Sequence, residues 1–261
     1  MSFAAQNQNF AAREKITGGA GHLNDAELEM DADGNFELIA STRPHPGNWL
    51  KMADDTSMLL LRQTFLDRSR ETPAQVDIEC LDADGTPPPL DPATVGDQLL
   101  GAAMYAIGCS QWFGNWVNEF LDKAPVNQFH APDAEQHRRV GGDPNVRFWL
   151  GRWDLADDEA LIVEATPPQC DYWNFQLGNI WAESLDFRNH RTHINCSDAA
   201  LNPDGSFQLI VAHRDPAHPN WIDTAGHEHG IMGLRWVRAD DHPEPRTRVV
   251  KLSEVGELST L

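Results

Sequence analysis

Basic residues are scarce: 20 Lys and Arg stand against 40 Asp and Glu in 261 residues, a formal net charge of -20. Such a surface repels phosphate backbones and anionic lipid, which excludes nucleic acid and membrane surfaces as partners. Cysteine is also sparse. Cys80, Cys109, Cys170 and Cys196 form no CxxC pair, so neither a zinc ribbon nor a redox dithiol is expected, and reduced thiols point to the cytoplasm. Long apolar runs are missing. The opening MSFAAQNQNFAAREK lacks the apolar stretch of a secretory leader, and 99–120 is broken by Gln111, Asn115, Asn118 and Glu119, so neither a leader nor a transmembrane helix is expected. GxSxG, Walker and strand-following GxGxxG patterns are absent too, which argues against an elbow-type serine hydrolase, a P-loop NTPase and any nucleotide cofactor.

What is present is core-building material: 41% hydrophobic residues, with 9 Trp and 11 Phe. Side chains of that size offset ordering entropy, so the chain folds. It also repeats itself. DGNFELIASTRPHPGNWLKMADDTSMLLLRQTFLD, from Asp33, aligns with DGSFQLIVAHRDPAHPNWIDTAGHEHGIMGLRWVRAD, from Asp204, with two single-residue insertions in the second copy. The pairs are Asp33 with Asp204, Gly34 with Gly205, Phe36 with Phe207, Leu38 and Ile39 with Leu209 and Ile210, and Arg43 with Arg214. Asn48 and Trp49 then fall on Asn220 and Trp221, and Leu61 and Arg62 on Leu234 and Arg235.

Each copy reads as an Asp-Gly turn entering a strand (36–40 and 207–212), a Pro-rich loop, and a second strand (57–65 and 231–237). Further strands are predicted at 75–81, 146–153, 160–165, 172–177 and 246–252. Apolar residues at spacings of three to five across 92–123, after Asp91 and Pro92, predict an amphipathic helix or helix pair with Gly108 and Gly114 as candidate breaks. The fold class is therefore mainly β: jelly-roll-like β-sandwich units from an internal duplication, the first copy abridged, with a helical insert. The expected organisation is an abridged N-terminal β unit at 1–90, the insert and a linker at 91–141, and a β-sandwich unit at 142–261.

The run ESLDFRNHRTH, followed by PDGSFQLIVAHRDPAHPNWIDTAGHEHGIMGLRWV, resembles the bacterial domain of unknown function 1214 (DUF1214) family. The likeness is most specific over 143–250 and weaker, through the repeated NW and LR elements, over 31–81. It implies a jelly-roll-like β-sandwich and, in many members, linkage to catabolic or envelope-related genes; it implies no particular reaction. About 60 residues of strand-rich sequence precede the turn in the second copy, from Gly142 to Pro203, whereas the first has only the polar stretch from Met1 to Ala32. The first sandwich is expected to lack part of a sheet, and a second chain, identical or different, to cover it.

Histidines cluster in the second half. RNHRTH supplies His190 and His193, His213 ends a strand, and GHEHG places His227 and His229 around Glu228. On a strand His227 and His229 share a face, a spacing suited to two ligands of a divalent metal such as zinc, with His213 able to converge on them. The bland alternative is solvated or structural loop histidines. His190, His193, His213 and Glu228 are the acid/base candidates. Trp173 and Trp181, in an aromatic stretch with Arg188, are ligand-contact candidates, and Arg188 or Arg235 is the anion anchor; the alternative is a core strand with arginines that pin loops. Glu183 and Asp186, three apart, are placed to share a helical face and raise one pKa. These features support a small-molecule catabolic enzyme or enzyme subunit, with a noncatalytic structural or ligand-binding subunit as the alternative.

Overall fold

The computed structural model describes residues 1–8, 16–83, 85–86, 89–131 and 142–258. The chain divides into two compact units, one formed by Met1–Trp112 and the other by described residues from Phe113 onward. The expected linker lies outside the described residues from position 132 to 141.

The first unit contains β1 (Ser2–Gln8), β2 (Ile16–Asn24), β3 (Ile39–Ser41), β4 (Trp49–Lys51) and β5 (Met58–Arg62). They form a three-stranded sheet, β2-β1-β5, and a parallel pair, β3-β4. Phe3, Ala5 and Leu50 are its buried centre, with Leu23, Phe36, Leu38 and Leu61 packed around them. The polar stretch before position 32 thus does form strands. Its Ala, Gln and Gly residues have little β propensity, and pairing with β5 supplies what propensity does not. In contrast, 75–81 carries no strand, and Ile78 and Leu81 are exposed.

One helix, α1 (Pro92–Lys123), follows, its first turn capped by the Asp91 side chain, which accepts from the Ala93 N–H at 3.0 Å. It runs unbroken through Gly108 and Gly114, because about 1 kcal/mol per glycine is too little to interrupt so long a helix. No helix among the described residues is long and apolar enough to cross a membrane.

The second unit has β6 (Gln128–His130), β7 (Val146–Asp154), β8 (Glu159–Ala165), β9 (Tyr172–Gly178), β10 (His193–Asn195), β11 (Phe207–Ala212), β12 (Trp221–Asp223), β13 (His229–Val237) and β14 (Arg246–Lys251). Two sheets result, β10-β9-β13-β7-β6 and β12-β11-β8-β14. Alternate residues from both meet in one core that includes Leu161, Val163, Trp173, Phe175, Phe207, Leu209, Leu234 and Trp236. The chain is mainly β, a sandwich with a helical insert. Val117 and Phe120 of α1 pack with Ile231 and Leu150 on the outer face of the five-stranded sheet. On the four-stranded sheet, Val255 of the short helix α2 (Val255–Leu258) packs with Ile162 and Ile210.

The duplication is visible at the level of single hydrogen bonds. In each copy a short strand lies parallel to its predecessor in the same register, Ile39 opposite Trp49 and Ile210 opposite Trp221. The Asn before each Trp holds that arrangement. Asn220 donates to the Ala200 and Gln208 carbonyls at 2.7 and 2.9 Å and accepts from the Ala200 N–H at 2.8 Å. Asn48 donates to Glu29 and Glu37 at 2.8 and 2.9 Å and accepts from the Glu29 N–H at 2.7 Å. Both indoles donate across the pair, Trp221 to the Ala212 carbonyl at 3.0 Å and Trp49 to that of Ser41 at 3.2 Å. Gly34 and Gly205 occupy matching turns at φ 82° and 83°, a backbone that side chains resist.

Asn220 is 2% exposed, so its truncation strands buried backbone groups. Asn220→Ala is expected to cost about 3 kcal/mol in urea unfolding, and Asn48→Ala, in the more exposed copy, about 1 kcal/mol. His218 adds a pH dependence. Its Nδ1 accepts from the Asn220 N–H at 3.1 Å, which requires an unprotonated nitrogen. Burial, and secondarily the Arg191 charge, hold its pKa below the ordinary 6.5. Because the unfolded chain binds this proton more readily, the stability contribution is present above 6.5 and lost as pH falls through the lower folded value. Thermal melts should show a smaller acid-induced loss of Tm in His218→Asn, which keeps an acceptor without titrating.

Candidate functional site

Four of the sequence-predicted histidines converge on one segment, 223–229, which joins β12 to β13. At its start, His190 Nδ1 lies 2.7 Å from Asp223 Oδ2. A carboxylate only accepts, so Nδ1 carries a proton, and in the neutral ring the lone pair is on Nε2. The dyad is held from both sides, since the Ala225 N–H donates to Asp223 Oδ1 at 2.9 Å and the Asp223 N–H to the Arg191 carbonyl at 2.8 Å.

One residue on, Thr224 is fully buried and its hydroxyl is 2.8 Å from His213 Nδ1. His213 Nε2 is 3.0 Å from the Leu155 carbonyl. In the neutral ring, Nε2–H donates to that carbonyl and Nδ1 accepts from Thr224, so both nitrogens are occupied. The Leu155 N–H in turn donates to the Glu228 carbonyl at 3.1 Å. His213 is therefore a brace between the β7–β8 connection and the segment, and it does not converge with His227 and His229 as metal ligands.

The far end of the segment forms a cleft. After β9, the Asn179 side chain accepts from the Trp181 and Glu183 N–H groups at 2.9 and 3.1 Å and donates to Glu183 Oε2 at 2.7 Å. This tight turn lifts Trp181 to 58% exposure. The indole shares an open cleft of about 390 Å³ with Asn179, Ile180, Gly226, His227, Glu228 and His229. Gly230 sets the approach of its walls, because a Cβ there would strike the Gly178 carbonyl and the Trp153 indole. His227 sits in the turn and only His229 opens the strand, so alternation along one strand does not fix their relation as the sequence suggested. Among the described residues no group of three His, Cys, Asp or Glu is arranged to hold a metal ion.

The remaining candidates lie elsewhere. Trp173 is a core residue, stacked on Phe207 with ring centroids 4.5 Å apart. Arg188 and His193 are exposed, the latter against Phe187 at 6.3 Å. Arg214 donates to the Asp157 carbonyl at 3.1 Å, which is the structural reading of the repeated arginines. Glu183 and Asp186 share no helix, and hydrogen bonding from the Asn189 amide lowers the Asp186 pKa, opposite to the elevation anticipated for one of the pair. Arg235 faces away from the core, where its guanidinium donates to Gln176 Oε1 at 2.8 Å and lies 4.9 Å from the Phe148 ring centroid. The polar residues beside it, Tyr172, Asn174 and Gln176, were legible in the alternation of YWNFQL but were overshadowed by its aromatics.

Over residues 157–240 the chain matches the family model described as Protein of unknown function (DUF1214). Among solved structures it is similar to an uncharacterised protein from Burkholderia cenocepacia, with 42% identity and a TM-score of 0.90 over 97% of this chain and 69% of that one. The chain belongs to the DUF1214 family. The VPA0106 protein from Vibrio parahaemolyticus shares 13% identity over 63% of this chain and 47% of its own, at a TM-score of 0.35. No curated protein matches. The DUF1214 match, 157–240, includes the His190–Asp223 dyad, both walls of the cleft and Arg235.

Removing the brace and removing the free imidazole should differ. His213→Ala leaves a buried hydroxyl and a carbonyl without partners and is expected to lower stability by about 2 kcal/mol in denaturant unfolding. His190→Ala, at a partly exposed pair, is expected to cost under about 1 kcal/mol.

Proposed function

We propose that this DUF1214 protein is an enzyme or enzyme subunit of small-molecule catabolism whose ligand sits in the Trp181 cleft. The observation that carries the reading is the exposed indole across from His227, Glu228 and His229, an apolar platform facing groups that donate and accept hydrogen bonds. The loops on both sides are pinned, so the cleft is preformed. His190 does not line the cleft itself. Held by Asp223 at the other end of the same segment, it is the general base or acid for a ligand that extends from the cleft toward it, because its Nε2 is left for a proton while Nδ1 is held. His227 and Glu228 bind and orient polar groups on the ligand. The free thiols of Cys80, Cys109, Cys170 and Cys196 support a cytoplasmic location.

A second reading, a noncatalytic subunit of an assembly, draws on α1, where Leu99 and Leu100 are 67% and 61% exposed. Apolar exposure of that kind is ordinarily covered by another chain, identical or different. A stable monomer in light scattering, with nothing copurifying, would count against it.

The test of the leading reading is a thermal-shift screen of neutral sugars, hydroxy acids and aromatic acids, with consumption of each hit followed by NMR. At least one class should raise Tm in the wild type and lose the effect in Trp181→Ala. Turnover should be lost in His190→Gln with binding retained. Binding without turnover in the wild type favours the noncatalytic subunit, and the absence of any hit whose shift is lost in Trp181→Ala overturns the cleft.

A further inference from the structure

The outer face of the five-stranded sheet carries a second polar centre, remote along β13 from the cleft. Strand register puts Phe148, Arg235, Asn174 and Asn195 in one row across β7, β13, β9 and β10. The next row is Leu150, Gly233, Gln176 and His193. At its centre Gly233 has no side chain, and a Cβ built there would meet only the Leu150 side chain, at an ordinary 3.5 Å. Among the described residues the floor beside the guanidinium is therefore hollow. Leu150, packed with Val117 and Phe120 of α1, bounds it on the β7 side, and Gln176 bounds it on the β9 side.

Two groups beside the hollow, Arg235 and Asn174, lack complementary partners among the described residues. Arg235 has a neutral acceptor in Gln176 and a ring face in Phe148, and no carboxylate pairs with it among the described residues. Gln176 takes one of its five N–H groups. Asn174, directly opposite on β9 and 8% exposed, has a buried Oδ1 without a hydrogen-bond partner among the described residues. Tyr172, two positions along, hydrogen-bonds Asn195 and completes the polar rim. A withdrawn cation lacking an anion and a buried acceptor lacking a donor, on adjacent strands, describe the complement of a ligand. That ligand supplies one negative charge and one hydroxyl.

We propose that the hollow over Gly233 binds a small hydroxycarboxylate, its carboxylate on the Arg235 guanidinium and its hydroxyl donating to Asn174 Oδ1. A monoanion is favoured over phosphate. One guanidinium among neutral amides balances a single charge, and a chain of net charge -20 disfavours a second. The proposal stands apart from the cleft and does not depend on it.

Titration calorimetry on the full chain tests it with glycolate, acetate and inorganic phosphate as probes. Glycolate should bind saturably and about tenfold more tightly than acetate, which lacks the hydroxyl, and phosphate should bind more weakly than either. Arg235→Gln should abolish binding of both carboxylates, and Asn174→Leu should reduce glycolate to the level of acetate. Should Arg235→Gln fail to fold, Gly233→Val fills the hollow without touching the charge and is expected to weaken glycolate by at least about tenfold. Trp181→Ala should leave glycolate binding unchanged. Absence of saturable glycolate binding, binding unaltered in Gly233→Val, or tighter binding of phosphate would each overturn the proposal.

Discussion

A single buried amide governs the geometry of the second unit. Asn220 ties the loop at Ala200 to β11 at Gln208, and its neighbour Trp221 reaches across to Ala212. Those bonds hold β12 parallel to β11, an arrangement that a three-residue strand would not keep on ladder bonds alone. The histidine site hangs from the end of that strand. Asp223 receives His190, Thr224 receives His213, and the chain then turns through His227 and Glu228 into β13. The cleft is thus a consequence of a scaffold bond several residues away.

The same clamp in the first unit shows what belongs to scaffold and what to function. Ser41 lies opposite Lys51 there, as Ala212 lies opposite Asp223 here. A lysine thus occupies the place of the carboxylate that orients His190, Met52 follows where Thr224 stands, and Thr42 replaces His213. Duplication preserved the amide, the indole and the turn glycine, which the fold needs. It did not preserve the dyad or the brace.

How much could be read from the sequence follows the same division. Repeated residues were legible because both copies need them, and the six longer strands of the second unit were legible because burial on alternate or both faces writes itself into the side chains, whereas the three-residue strands β6, β10 and β12 were not. Ser2–Gln8 and Ile16–Asn24 were not, since small and polar residues form strands there only through long-range pairing. The histidines were legible as a cluster but not as roles. Both His190 and His213 lie near the same segment, and only three-dimensional contacts distinguish a ring with one nitrogen held from a ring with both engaged. Trp173 and Trp181 differ likewise: the first continues the inward alternation of β9, and the second sits beyond the strand on an Asn-capped turn.

The central claim is that the Asn220 clamp holds the site in place. Hydrogen exchange resolved to single amides, compared between the wild type and Asn220→Ala under native conditions, tests it directly. The Asp223 and His227 amides, bonded to Arg191 and Thr224, should lose protection together, while amides paired between β7 and β13 keep theirs. Unchanged protection at Asp223 and His227 in a folded Asn220→Ala protein would contradict the account.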